Sequence, residues 1–149
     1  MKLGIVFNQN KWNGKLTKLF TGCYAYHTIW VDEELGFMYD MNKLRRKRRW
    51  PRYKQDEVLL FDFPQVTREY LEEATLTDDT TYGYLDYILF GFRWFYHLIG
   101  KPTRNAGGQI CSEVTNKDLW KCGVKTPWNP KDAPPSPCDI YRWVNETKK

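Results

Sequence analysis

Short bursts of apolar residues, separated by polar turns, occupy the first half of the chain. Leu3-Gly4-Ile5-Val6-Phe7 closed by Asn8 predicts a first strand over 3–8. Residues 26–32, Tyr-His-Thr-Ile-Trp-Val-Asp, are rich in the β-branched and aromatic side chains that suit a pleated surface. The polar stretch Asp32-Glu33-Glu34-Leu35-Gly36 reads as a turn, and 37–42 as the strand that returns from it. A fourth strand over 57–63 alternates less, as a strand covered on both faces does. A hairpin at 26–42 with strands on either side predicts a small, mostly antiparallel sheet.

The second half changes period. Thr67 is an N-cap for a helix over 68–74 with an acid early in it. Residues 82–98 are apolar nearly all round and predict a buried helix. A loop, Lys101 to Gly108, leads to a third helix over 110–121, stopped by Gly123. Ser136-Pro137-Cys138-Asp139 combines an N-cap, a proline at the first helical position and an acid at N3, and opens a last helix to about Asn145. With 149 residues and no repeat or linker, the reading is a single α+β domain over 1–149, large enough to bury a core without disulfide staples.

Nothing in the chain has the length of a signal peptide's apolar region or of a membrane span, so the expectation is a cytoplasmic protein, reaching any outside target by lysis or in a particle. The four cysteines, at 23, 111, 122 and 138, show no zinc spacing, and without an export signal they are expected as free thiols. No metal or cofactor is expected. The net charge of +5 is local: Lys43, Arg45, Arg46, Lys47, Arg48, Arg49, Arg52 and Lys54 supply eight positive charges, and removing them leaves the rest at −3. One patch of this kind does not make a nucleic-acid-binding surface spread over a fold.

The residues with chemistry in them are Cys111 and His27. Cys111 falls at a helix start, where the dipole and free N–H groups favour thiolate, and Gly107-Gly108 before it lets backbone approach a ligand. A buried inert thiol is the plain alternative. Of the two histidines, His97 sits in the aromatic helix and reads as a packed side chain; His27 leads a strand whose hairpin partner carries Asp40. Asp40 is the candidate to orient the His27 ring, with Tyr39 in that place if the register slips by one.

The order of these features, namely Gly4-Ile5-Val6-Phe7, a polar helical segment, Tyr26-His27 leading the second strand, Asp40 on the next, and Cys111-Ser112-Glu113-Val114 at a helix start, resembles the circularly permuted branch of the NlpC-type papain-like family. That branch holds cysteine peptidases and amidases together with lecithin:retinol acyltransferase-like enzymes. The resemblance implies a permuted papain-like fold, Cys111 as nucleophile, His27 as general base and then acid, and Asp40 as orienting residue. It implies a peptide, peptidoglycan-like or acyl substrate cleaved through a thioester. The basic segment and the bulky Trp30-Val31 after the histidine depart from the family pattern and imply an altered substrate surface.

The basic run reads as a solvated loop, or as a clamp for an anionic substrate or partner through Arg45, Arg46, Arg48, Arg49 and Trp50. Three functions follow as expectations. The first is a cysteine hydrolase of amide or isopeptide bonds, the second an acyl hydrolase or acyltransferase on the same fold. The third is a non-catalytic module that docks nucleic acid or an acidic protein on the basic loop.

Overall fold

Five strands form one antiparallel sheet in the computed structural model, which describes residues 1–8, 15, 18–19, 21–42, 44–78, 110–131 and 134–148. They are β1 (Lys2–Phe7), β2 (Ala25–Asp32), β3 (Phe37–Asn42), β4 (Leu44–Arg49) and β5 (Val58–Asp62), in the spatial order β4-β3-β2-β1-β5. Among the described residues three α-helices follow the sheet: α1 (Arg68–Thr77), α2 (Cys111–Lys121) and α3 (Pro137–Thr147). The α+β reading with an antiparallel sheet is what the chain forms. The helix expected over 82–98, His97, the loop before Cys111 and the polar segment after β1 lie outside the described residues.

Alternation along the strands sorts two cores. Leu3, Ile5, Trp30 and Tyr39 face the helices and pack with Phe63, Leu71, Leu119, Ile140 and Val144. On the other face Val6, Ile29, Val31, Met38 and Val58 cluster, flanked by Tyr26, Trp50, Tyr53 and Leu60. Gly4 belongs to this second face, opposite Ile29 on β2 and Leu60 on β5. A Cβ there would lie 2.7 Å from Ile29 Cγ1, so the close approach admits only glycine without repacking.

Helix ends follow their caps. Thr67 Oγ1 accepts from Tyr70 N at 3.2 Å, and Ser136 with Asp139 forms a reciprocal capping box ahead of α3. Each such cap stabilises its helix by about 1 kcal/mol. Gly123, at φ 80, turns the chain out of α2.

Two expectations fail. The basic run is not a loop: Leu44–Arg49 is an edge strand, paired with β3 from Phe37↔Arg49 to Asn42↔Leu44. Two of its charges, Arg45 and Lys47, meet acids on the helical side. Arg45 Nη1 and Nη2 each donate to Asp118 at 2.9 Å, and Lys47 Nζ lies 2.5 Å from Glu72 and 4.5 Å from the Phe37 ring centroid. The thiols are not all free either. Cys23, just before β2, and Cys138, in the first turn of α3, form a disulfide with a Cα separation of 6.0 Å. α3 packs on β2, which brings two cysteines 115 positions apart in sequence side by side. Cys111 and Cys122 remain free.

Candidate active site

Helix α2 starts at Cys111 because Ile110 before it is extended, and no side chain caps the first turn. The uncapped start leaves the helix dipole and its leading N–H groups directed at whatever occupies that end. The helix is pinned along one face. Cys111, Thr115 and Asp118, four and three residues apart, line the same side. Thr115 Oγ1 donates to Thr28 Oγ1 on β2 at 2.9 Å, and the Asp118 carboxylate accepts from Trp30 Nε1, two residues along β2, also at 2.9 Å. Tyr70 of α1 gives Asp118 a further hydroxyl at 2.8 Å. Ser112 Oγ fixes the helix start by donating to Pro135 O at 2.7 Å.

His27 stands where the sheet opens. The β2–β3 ladder runs from Asp32↔Phe37 only as far as Ile29↔Asp40, so His27 pairs with Val6 of β1 alone, next to the irregularity between Val6 and Phe7. The first turn of α2 reaches this end of the strand. The His27 imidazole and the thiol of Cys111 interact there, and Thr28 contributes its backbone and hydroxyl to the sulfur.

Each group changes the other's ionisation. Burial alone would push the Cys111 thiol up; the positive His27 ring, with hydrogen bonding from His27 and Thr28, outweighs it and holds the thiol below its ordinary value. Burial alone would lower His27; the Cys111 thiolate, and to a lesser degree the Asp40 carboxylate, raise it. Arg52 acts in the opposite sense on His27. The arrangement favours a thiolate–imidazolium pair, the reactive form of a cysteine nucleophile. Thr115 supports it indirectly: by donating to Thr28 Oγ1 it leaves the Thr28 hydroxyl hydrogen to point at the sulfur.

Asp40 lies on the His27 face but not against the ring. It is directly opposite Ile29, its Oδ1 accepts from Arg48 Nε at 3.3 Å, and its Oδ2 is buried with no hydrogen-bond partner among the described residues. His27 Nε2 is buried and unpartnered in the same sense. Asp40 therefore favours the imidazolium by its charge, with no hydrogen bond to the ring. Tyr39 points to the helical face and donates to Glu72 at 3.3 Å, so the register puts it out of reach of His27. The ring is flanked by aromatics: Tyr26 and Tyr53 each have their centroid 6.3 Å from it.

The basic residues divide. Arg45 is 7 % exposed and locked to Asp118, which removes it from the candidates for substrate binding. Trp50 packs beside the Val6–Met38 cluster, Arg48 is shared with Asp40, and Arg46 and Arg49 are exposed. Thr28, Thr115 and Asp118 were not singled out by the sequence, and Arg52 and Tyr53 were read only as part of the basic run and its aromatics, not as neighbours of His27. A threonine directly after His27, and another one turn beyond Cys111, are the signal that was there to be read.

Met41 and Val114 close over the sulfur, and a cavity of about 10 Å³ lies between Cys111, Thr28, Asp40 and Asp118, close to the room one water needs. A larger cavity, about 300 Å³, is lined by Arg45, Asp78, Lys117, Asp118 and Lys121 among others and touches neither Cys111 nor His27. Geometry and charge, not cavity size, mark the dyad as the candidate site. Among the described residues no cluster of histidine, cysteine or carboxylate side chains fits a metal ion, and no helix is long and apolar enough to cross a membrane. Compared with protein-family models, curated proteins and solved structures, the chain gives no match.

Proposed function

We propose that the chain is a cysteine hydrolase, a peptidase or amidase with a permuted papain-like fold, that cleaves an amide or isopeptide bond in a cell-wall peptide or protein. One observation carries the reading: a buried thiol at an uncapped helix start, held below its ordinary pKa by a histidine which it raises in turn. A structural cysteine in an apolar core shows the reverse shift.

In the reaction the Cys111 thiolate adds to the substrate carbonyl carbon. The carbonyl electron pair moves to oxygen, opposite the N–H groups at the start of α2. Collapse of the adduct expels the amine, which takes its proton from the His27 imidazolium and leaves a thioester on Cys111. Water then adds to the thioester, gives a proton to His27, and releases the acid and the thiolate. The Cys23–Cys138 cross-link suits an enzyme that works in oxidising surroundings, in keeping with release to an outside target.

A second reading, an acyl hydrolase or acyltransferase on lipid or thioester acyl groups, draws on the apolar flank that Met41 and Val114 give the sulfur. Turnover of short-chain thioesters without turnover of peptides selects it. The test of the shared chemistry is iodoacetamide labelling with Cys122 as internal reference. Cys111 is expected to react far faster, and His27→Ala to remove the difference. Equal labelling of the two in the native protein sinks the enzyme reading.

A further inference from the structure

Strand β4 is an edge of the sheet, and the hydrogen bonds beside it determine which of its main-chain groups face outward. Trp50 N donates to Gly36 O at 2.9 Å, one step past the pair Phe37↔Arg49 in the same register. Antiparallel strands bond at every second residue pair, so Arg48 and Arg46 also turn their N–H and C=O groups toward β3. Lys47 and Arg49 turn theirs away from it. Among the described residues no main-chain group pairs with those outward N–H and C=O groups. Arg45 faces the same way but is buried. The open stretch of edge is therefore Arg46 to Arg49, where Arg46, Lys47 and Arg49 are exposed.

The side chains along this stretch are of two kinds. Lys47 is held by Glu72 at 2.5 Å and Arg48 by Asp40 at 3.3 Å. Arg46 and Arg49 meet no acid among the described residues. Lying three apart on a strand, they project to opposite faces of the sheet. Cations on an open edge keep a second copy of that edge away by like-charge repulsion. The same two charges favour a strand that brings an acid to each.

Two observations favour extended protein over nucleic acid as the occupant. The outward carbonyl groups of Lys47 and Arg49 call for main-chain N–H donors, which a phosphate backbone lacks. The aromatic rings that would stack on bases, Trp50 and Tyr53, are packed against the Val6–Met38 cluster.

We infer that the outer edge of β4 from Arg46 to Arg49 is a docking site for an extended acidic segment of another protein. The segment adds to the sheet beyond β4 and sets acidic residues three positions apart opposite Arg46 and Arg49. Main-chain bonds to Lys47 and Arg49 supply its register, and the two ion pairs its specificity. The site is separate from the thiol chemistry of Cys111 and stands without it.

The test is fluorescence anisotropy of the whole protein with labelled threonine-rich peptides. A peptide with two glutamates three positions apart is expected to bind about fivefold more tightly than one with them two apart, whose acids share one face; this is the scale of one cross-strand ion pair. Arg46→Glu combined with Arg49→Glu reverses the charge preference, so that lysines at the same spacing bind better than glutamates. N-methylation along the peptide edge that faces β4 removes binding, and along its other edge leaves it, an arm that needs no protein variant. Equal binding of the two spacings, equal effects of methylation at both edges, or a preference unchanged by charge reversal overturns the docking site. Tighter binding of oligothymidine, with displacement of the peptide, overturns it in favour of nucleic acid. Cys111→Ala is expected to bind the peptide as the native protein does, and loss of binding in that variant overturns the site by placing the peptide at the thiol instead.

Discussion

Arg45 and Asp118 meet inside the protein in a two-pronged ion pair, Nη1 to Oδ1 and Nη2 to Oδ2, both at 2.9 Å. The pair ties the edge strand β4 to the helix that carries Cys111. With Trp30 and Tyr70 completing the shell, the carboxylate accepts four hydrogen bonds, yet burial outweighs them and holds its pKa above the ordinary carboxylate value. Asp118→Ala strands a buried guanidinium and is expected to cost about 3–5 kcal/mol. Urea unfolding measures it. A double change that replaces both partners with apolar residues is expected to lose much less, and an equal loss in the two variants contradicts the account.

The dyad makes a pH prediction for reactivity. The thiol of Cys111 lies below its ordinary 9.0 and the His27 imidazole above its ordinary 6.5, so the thiolate–imidazolium pair spans the interval between the lowered thiol and the raised imidazole. Alkylation of Cys111 rises as pH passes upward through the lowered thiol value. In His27→Ala only burial acts strongly, and the midpoint of the rate–pH curve moves up. A curve that stays in place on removal of the histidine rejects the coupling.

Acid stability depends on a different pair. A hydrogen bond from Arg68 Nε at 2.6 Å, aided by Leu35 N–H at 3.1 Å, holds the Asp32 carboxyl below its ordinary 3.8 against the effect of burial. A carboxyl depressed in the folded state contributes stability that is complete above the unfolded value and lost as pH falls through the folded one. Arg68→Gln is therefore expected to flatten the loss of stability below about pH 4, and to lower stability at neutral pH. Thermal melts across pH 2–7 on both proteins, a range chosen to bracket the ordinary carboxylate value of about 3.9, measure the slope.

Reduction of the Cys23–Cys138 bond is expected to lower stability by about 4–5 kcal/mol if restriction of the unfolded chain dominates. Denaturant midpoints with and without a thiol reductant give the value. A Cys23→Ser, Cys138→Ser double variant insensitive to reductant, and as weak as the reduced protein, assigns the effect to this bond.

The hairpin was legible because its signals are local. A β-branched run, an acidic turn ending in Gly36 and a returning strand place β3 at the residues where it forms, and that register puts Asp40 rather than Tyr39 on the face of His27. The same holds for Thr67 and Ser136 as caps. The edge strand was not legible, since six residues with one apolar side chain show no alternation of hydrophobicity. What makes it a strand is acid supplied by Glu72 and Asp118, 25 and 73 positions away. The disulfide was hidden for the same reason. At the candidate site, the cysteine and the histidine were visible as residue types in a particular order; the place of Tyr53 beside His27 was not, because it follows from a chain return after β4 that no periodicity announces.

The cross-link between Cys23 and Cys138 also decides what a single break in the chain does. His27 and Cys111 both lie within the covalent ring that the bond closes. A cut anywhere on that ring opens it without dividing the molecule, and a cut between residues 27 and 111 leaves nucleophile and base on two segments still joined through sulfur. The effective concentration of each for the other stays that of an intramolecular pair. A nicked preparation under oxidising conditions is then one covalent molecule that keeps its dyad, and in the same preparation a reductant leaves two segments with no covalent bond between them.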